Sequence, residues 1–113
     1  MLLGASAGAA DPLKPLPLLV GTVSKVNDGD SIEVELQSGH TRVRFSAIDT
    51  PEFDQPYGVL ASTALKSMLP VGSNVELEVY TQDQFRRLVA IVWRVDGDKR
   101  VNLNETMLRE GHA

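Results

Sequence analysis

Apolar and polar residues alternate along Ser31-Ile32-Glu33-Val34-Glu35-Leu36, the period of a strand with one face in a core and the other in water. The preceding stretch, Leu18 to Val26, is rich in β-formers. The turn Asn27-Asp28-Gly29-Asp30 joins the two. A second turn, Gln37 to His40, leads into a third predicted strand, Thr41 to Ile48, which alternates at its start. Asp49-Thr50-Pro51-Glu52 stops that strand, and Pro51 holds Thr50 extended. Over residues 56–69 the period changes: Leu60, Ala64, Leu65, Met68 and Leu69 fall at helical spacing, and Pro70 and Gly72 close the helix. Val75, Leu77 and Val79 alternate with Glu76, Glu78 and Tyr80 in a fourth strand. Thr81 to Arg87 reads as a polar loop, and Leu88 to Trp93 as a mostly buried fifth strand. After a turn at Asp96-Gly97-Asp98, Asn102 to Glu110 is a short amphipathic helix with Leu103, Met107 and Leu108 inward and Gly111 as its stop. The order βββ-α-ββ-α, a helix inserted between the third and fourth of five strands, is the layout of an OB-fold barrel spanning residues 18–113. Many binding modules share that layout, so it does not fix the chemistry.

A length of 113 residues and a hydrophobic share of 42% suit one domain with a real core. The net charge of −4 argues against a protein that coats DNA by counterion release, but it leaves room for an enzyme with a few arginines focused in one cleft. With no cysteine there is neither a disulfide framework nor a thiolate metal site. No apolar run is long enough to span a membrane. Met1 to Ala10 reads as the back half of a secretory signal or as a disordered extension, and the proline-rich lead-in of residues 11–17 follows it. The first reading places the protein in a secreted or periplasmic setting and the second leaves a cytoplasmic one open. His40 and His112 lack the spacing of a metal pair.

Candidate chemistry sits at turns and strand ends. Asp28 and Asp30 share one turn, and Asp49 and Glu52 flank Thr50-Pro51 at another. Convergence of the two turns would offer a hard cation several carboxylate oxygens and the Thr50 carbonyl. Taken singly, such residues are more often local caps and turn formers. Arg42 and Arg44 share one face of the third strand, which fits a solvated surface with ion pairs or a cleft where a guanidinium fork grips two phosphate oxygens. Arg86-Arg87 is open to the same two readings.

The ordered series Asp28-Gly29-Asp30-Ser31, Val43-Arg44-Phe45, Ile48-Asp49-Thr50-Pro51-Glu52, Tyr57-Gly58 with Ala61, Asp83 to Ala90, Val101-Asn102 and Leu108 to Ala113 resembles the staphylococcal-nuclease-like domain family over roughly residues 20–113. The resemblance implies a Ca²⁺-dependent phosphodiesterase acting on DNA or RNA, single strands favoured, that leaves 3′-phosphate ends. It implies that Asp30 and Asp49 give carboxylate oxygens and Thr50 its carbonyl to Ca²⁺, with Asp28 a neighbouring carboxylate that shapes the ion pocket. Glu52 would orient or deprotonate the attacking water, and Arg44 and Arg87 would hold the phosphate. Phe85 stands where an aromatic stacks on base or sugar, and Arg86 replaces a glycine usual before the second arginine, which twists the loop or adds a phosphate contact. Family domains continue with a third helix, expected to be absent here, so a monomer or weak dimer with an exposed barrel face is expected. A non-catalytic OB module that binds nucleic acid or protein is the alternative reading.

Overall fold

The computed structural model describes residues 18–46 and 58–112. The leader reading of residues 1–17 and the candidates Asp49, Thr50 and Glu52 lie outside the described residues. Among the described residues eight elements follow in order: β1 (Leu19–Asp28), β2 (Ser31–Leu36), β3 (Gly39–Phe45), α1 (Gly58–Met68), β4 (Asn74–Gln82), β5 (Leu88–Asp96), β6 (Lys99–Asn102) and α2 (Leu103–Arg109).

The sheet runs β3-β2-β1-β4-β5-β6, and a parallel pairing of β3 with β5 closes the first five strands into the expected OB barrel. Closure needs a strand that serves two neighbours. In β1, Leu19–Thr22 pair with β4 while Gly21 to Asp28 pair with β2, with register irregularities between Val23 and Lys25 and between Val26 and Asp28. Such bulges bend and twist a strand enough to bring a sheet round on itself. Gly21 sits where the strands crowd: a Cβ there would lie 2.6 Å from the Glu35 carbonyl oxygen, so only glycine fits without a shift of backbone.

The alternating residues face as their period requires. Ile32, Val34, Val43, Phe45, Val75, Leu77 and Val79 are buried, joined by Ala90 and Val92 of β5. The two helices meet this core as expected at Leu65, Leu69, Leu103 and Met107, and depart from the sequence expectation at Leu60 and Leu108. In α1 the buried face is Gly58, Ala61, Ser62 and Leu65, with Leu60 exposed. Small residues let the helix approach β1 closely, and the large Leu60 is left outside. In α2, Leu103 and Met107 are buried but Leu108 is exposed, because Asn104 and Thr106 take the inner positions. Asn102 caps α2 by accepting from the Glu105 N–H at 3.0 Å, and Gly111 ends the turn at a φ of 79°. The strand β6 was not foreseen. It pairs with β5 as a hairpin ahead of α2, and its Lys99 and Arg100 are the kind of charged residues that keep an exposed edge soluble.

Candidate active site

The site is built where β3 leaves the barrel. Ser31 pairs with Arg44, and the Phe45 N–H donates to the Asp30 carbonyl at 2.8 Å, so the Asp28–Asp30 turn lies against the end of β3. The Asp30 N–H donates to Asp28 Oδ1 at 3.2 Å, an Asx contact that fixes the turn. Asp30 is buried, 7% exposed, and its Oδ2 accepts from Arg44 Nη1 at 2.5 Å. A charge-assisted bond in so little solvent holds both groups in one orientation.

Arg87 approaches from the loop that leads into the neighbouring strand β5. Arg44 stands beside Val89 in the parallel register, and Val43 and Phe45 point inward, so Arg44 and Val89 lie on the outer face. Arg87 directly precedes β5, and extending the strand spacing back from Val89 sets its backbone about 8 Å from that of Arg44. Asp83 orients it. Asp83 Oδ1 accepts from the Phe85 and Arg87 N–H groups, each at 2.9 Å, and Oδ2 accepts from Arg87 Nε at 2.8 Å. Partial burial works to raise the Asp83 carboxyl, but the Arg87 backbone N–H and guanidinium outweigh it and hold the group below its ordinary value. Asp83 takes Nε, and the two terminal nitrogens of the same guanidinium form a fork of the kind that suits two phosphate oxygens. Phe85 is 57% exposed and lies 5.6 Å from the Arg87 guanidinium, close enough for a cation–π contact.

Arg86 has a φ of 65°, the left-handed conformation a glycine adopts freely. The loop therefore keeps the glycine-type backbone instead of twisting, and Arg87 stays on Asp83. The Asp83 carbonyl accepts from the Arg86 N–H at 3.0 Å and the Arg86 carbonyl accepts from Gln82 Nε2 at 3.3 Å.

Asn104 was not foreseen as part of this assembly. Its Oδ1 accepts from the Val92 N–H at 2.9 Å, and its Nδ2 donates to the Ser46 carbonyl at 2.8 Å and the Ala90 carbonyl at 3.1 Å. It thus staples β5 to the residue that follows Phe45, just beyond Arg44. The signal available in the sequence was a polar residue between Leu103 and Met107 on the inner side of a short helix, a place where an amide persists only with its hydrogen bonds made. For Asp83 the signal was its position four residues before Arg87 in a loop.

The described residues thus bring together Asp28, Asp30, Arg44, Arg87, Phe85 and Arg86, and add Asp83 and Asn104. Among them there is no group of three or more His, Asp or Glu placed to hold a metal ion. Asp30 is one oxygen donor, and a set made of carboxylates and a carbonyl suits a hard dication. A cleft of about 520 Å³ opens not over Asp30 and Arg44 but beside them, between Arg42 and Arg86.

On the outer face of the β2–β3 hairpin, His40 Nε2 lies 2.7 Å from Glu33 Oε1, and its Nδ1 contacts Glu35. The hydrogen bonds to Glu35 and Glu33 raise the His40 pKa above 6.5, and the bond to His40 lowers that of Glu33. A raised histidine stabilises the fold fully below its unfolded pKa and loses that contribution as pH climbs through the folded value. Melting temperature is accordingly expected to fall more steeply above about pH 6.5 in the wild type than in His40→Gln. Parallel profiles from thermal melts would show that the clamp contributes nothing.

No helix among the described residues is long and apolar enough to cross a membrane. The family described as "Staphylococcal nuclease homologue" matches residues 42–113. An "Uncharacterized endonuclease" of Escherichia coli O157:H7 is 36% identical over 93 residues, covering 82% of this chain and 58% of its own. The "Endonuclease YncB" of Bacillus subtilis is 36% identical over 101 residues, 81% of this chain and 46% of its own. The "Thermonuclease" of Staphylococcus intermedius is 35% identical over 99 residues, 80% of this chain and 56% of its own. The chain spans less than two thirds of the length of these relatives.

Proposed function

The chain belongs to the staphylococcal nuclease homologue family, and from that premise we propose that it is a nuclease that hydrolyses phosphodiester bonds of DNA or RNA. The observation that carries the reading is two guanidinium groups, each oriented by a carboxylate, at neighbouring places in the fold: Arg44 held by Asp30 on β3, and Arg87 held by Asp83 just before β5, the strand that runs parallel to β3.

Ca²⁺ is the proposed cofactor, with Asp30, Asp49 and the Thr50 carbonyl to hold it and Asp28 to fix the Asp30 turn. When bound, such an ion supplies positive charge to a phosphate oxygen and a template for the substrate. The chain's own residues do the rest. Arg44 and Arg87 grip the non-bridging oxygens, whose negative charge grows as water attacks phosphorus, so their stabilisation is larger in the transition state than in the ground state. Glu52 orients the water and takes its proton. The P–O5′ bond breaks, the leaving oxygen takes a proton from solvent, and the product carries a 3′-phosphate. Phe85 offers a stacking surface to an unpaired base, which favours single strands.

Incubation of the protein with single-stranded DNA and Ca²⁺ is expected to yield fragments with 3′-phosphate ends, and chelator to stop the reaction. Undegraded DNA that stays bound under both conditions would reject the nuclease reading in favour of a binding module.

A further inference from the structure

We propose that the cleft between Arg42 and Arg86 holds a nucleotide of the bound strand other than the one being cut. The proposal deepens the nuclease reading and rests on it. Five of the seven arginines in the sequence are ion-paired to carboxylates within the described residues: Arg44, Arg87, Arg94, Arg100 and Arg109. Arg42 and Arg86 have no carboxylate partner among the described residues, and both line the same cleft. In a chain of net charge −4 that places at one opening two cations with no carboxylate partner among the described residues. Leu19, Leu36 and Leu88 give the cleft an apolar floor, Leu36 and Leu88 being packed against the core. Cations at the rim over an apolar floor match a phosphate joined to a sugar and base.

The cleft is continuous with the proposed active site. Arg42 lies two positions before Arg44 on the same face of β3, about 7 Å along the strand. Its Nη2 donates to the Phe85 carbonyl, which fixes the guanidinium to the loop that carries Arg87. Arg86 precedes Arg87 directly, and its left-handed backbone, natural to glycine, carries a guanidinium instead. Strain of this kind persists where the side chain has a use. Glu33, opposite Arg42 in the β2–β3 register, and Glu35 are the carboxylates that would repel an anion here, and both are turned onto His40.

The test is fluorescence anisotropy of a labelled single-stranded octanucleotide and a dinucleotide, with chelator present, across about 50 to 200 mM salt. Arg86→Gly is the principal variant, because it removes the charge while relieving the backbone, so its melting temperature should not fall below that of the wild type. Its dissociation constant for the octanucleotide is expected to rise about three- to tenfold, and the slope of log affinity against log salt to shrink by about one. The loss for the dinucleotide is expected to be smaller, so the affinity ratio between the two ligands falls. Arg86→Glu should exaggerate each change. An octanucleotide affinity and salt slope equal to the wild type in Arg86→Gly would overturn the proposal. If the wild type binds the octanucleotide yet never cuts it with Ca²⁺, the nuclease reading fails while the variant comparison still decides the cleft. If it cuts and the variants bind as it does, the nuclease reading stands and the cleft assignment falls. Absence of binding by the wild type would overturn the cleft assignment, while cutting with Ca²⁺ still decides the nuclease reading.

Discussion

Arg44→Lys is expected to lower kcat on single-stranded DNA by about 10²–10³ with only a small change in melting temperature. Lysine keeps the positive charge beside Asp30, so the buried carboxylate retains a cation. What it loses is the planar guanidinium, which bonds Asp30 through Nη1 and carries its other N–H donors in fixed directions. An ammonium is a point charge without those fixed directions. The loss should appear in kcat more than in KM, because the added charge on the phosphoryl oxygens exists only in the transition state. A rate within twofold of wild type would remove Arg44 from the chemistry and leave it a structural partner of Asp30.

Asn104→Ala is expected to cost about 3 kcal/mol in stability, because it strands a buried Val92 N–H and the Ser46 carbonyl at once. The Ala90 carbonyl keeps the Ser46 N–H at 2.7 Å and is spared. Asn104→Asp retains an acceptor for Val92 but turns its other carboxylate oxygen onto the Ser46 and Ala90 carbonyls in a buried site, so a cost at least as large as that of alanine is expected at neutral pH. Urea midpoints measure both. An alanine variant as stable as wild type would show that the amide is not needed to join β5 to the end of β3.

The strands were legible because a period of two leaves little choice. Ile32 and Val34, Val43 and Phe45, and Val75, Leu77 and Val79 all point inward as the alternation demands. The helix faces were less so. Leu65 faces inward as the spacing requires, but counting large apolar residues also favours Leu60 and Leu108, whereas close approach selects small ones, and Gly58, Ala61 and Ser62 complete the inner face of α1. The strand β6 escaped notice because Lys99 and Arg100 carry charges suited to an edge, and only pairing with β5 makes them a strand.

For the site, the sequence pointed to Asp30, Arg44 and Arg87, but not to what aims them. The partners of Asp83 and Asn104 are set by loop closure and by tertiary contact, neither of which has a period. The substitution of Arg86 for a glycine could be read in the chain as a departure. That the loop would keep a φ of 65°, and not swing Arg87 away, depends on Asp83 accepting from two backbone N–H groups and one side chain together.

A double-substitution cycle tests most directly whether the two guanidinium groups serve one phosphate. kcat on single-stranded DNA would be measured for Arg44→Lys, Arg87→Lys and the pair. Groups that act on a single transition state lose less together than the product of their separate losses. A combined loss well short of that product is predicted. A combined loss equal to the product, or no loss in Arg87→Lys alone, would contradict a shared site on the outer face of β3 and β5.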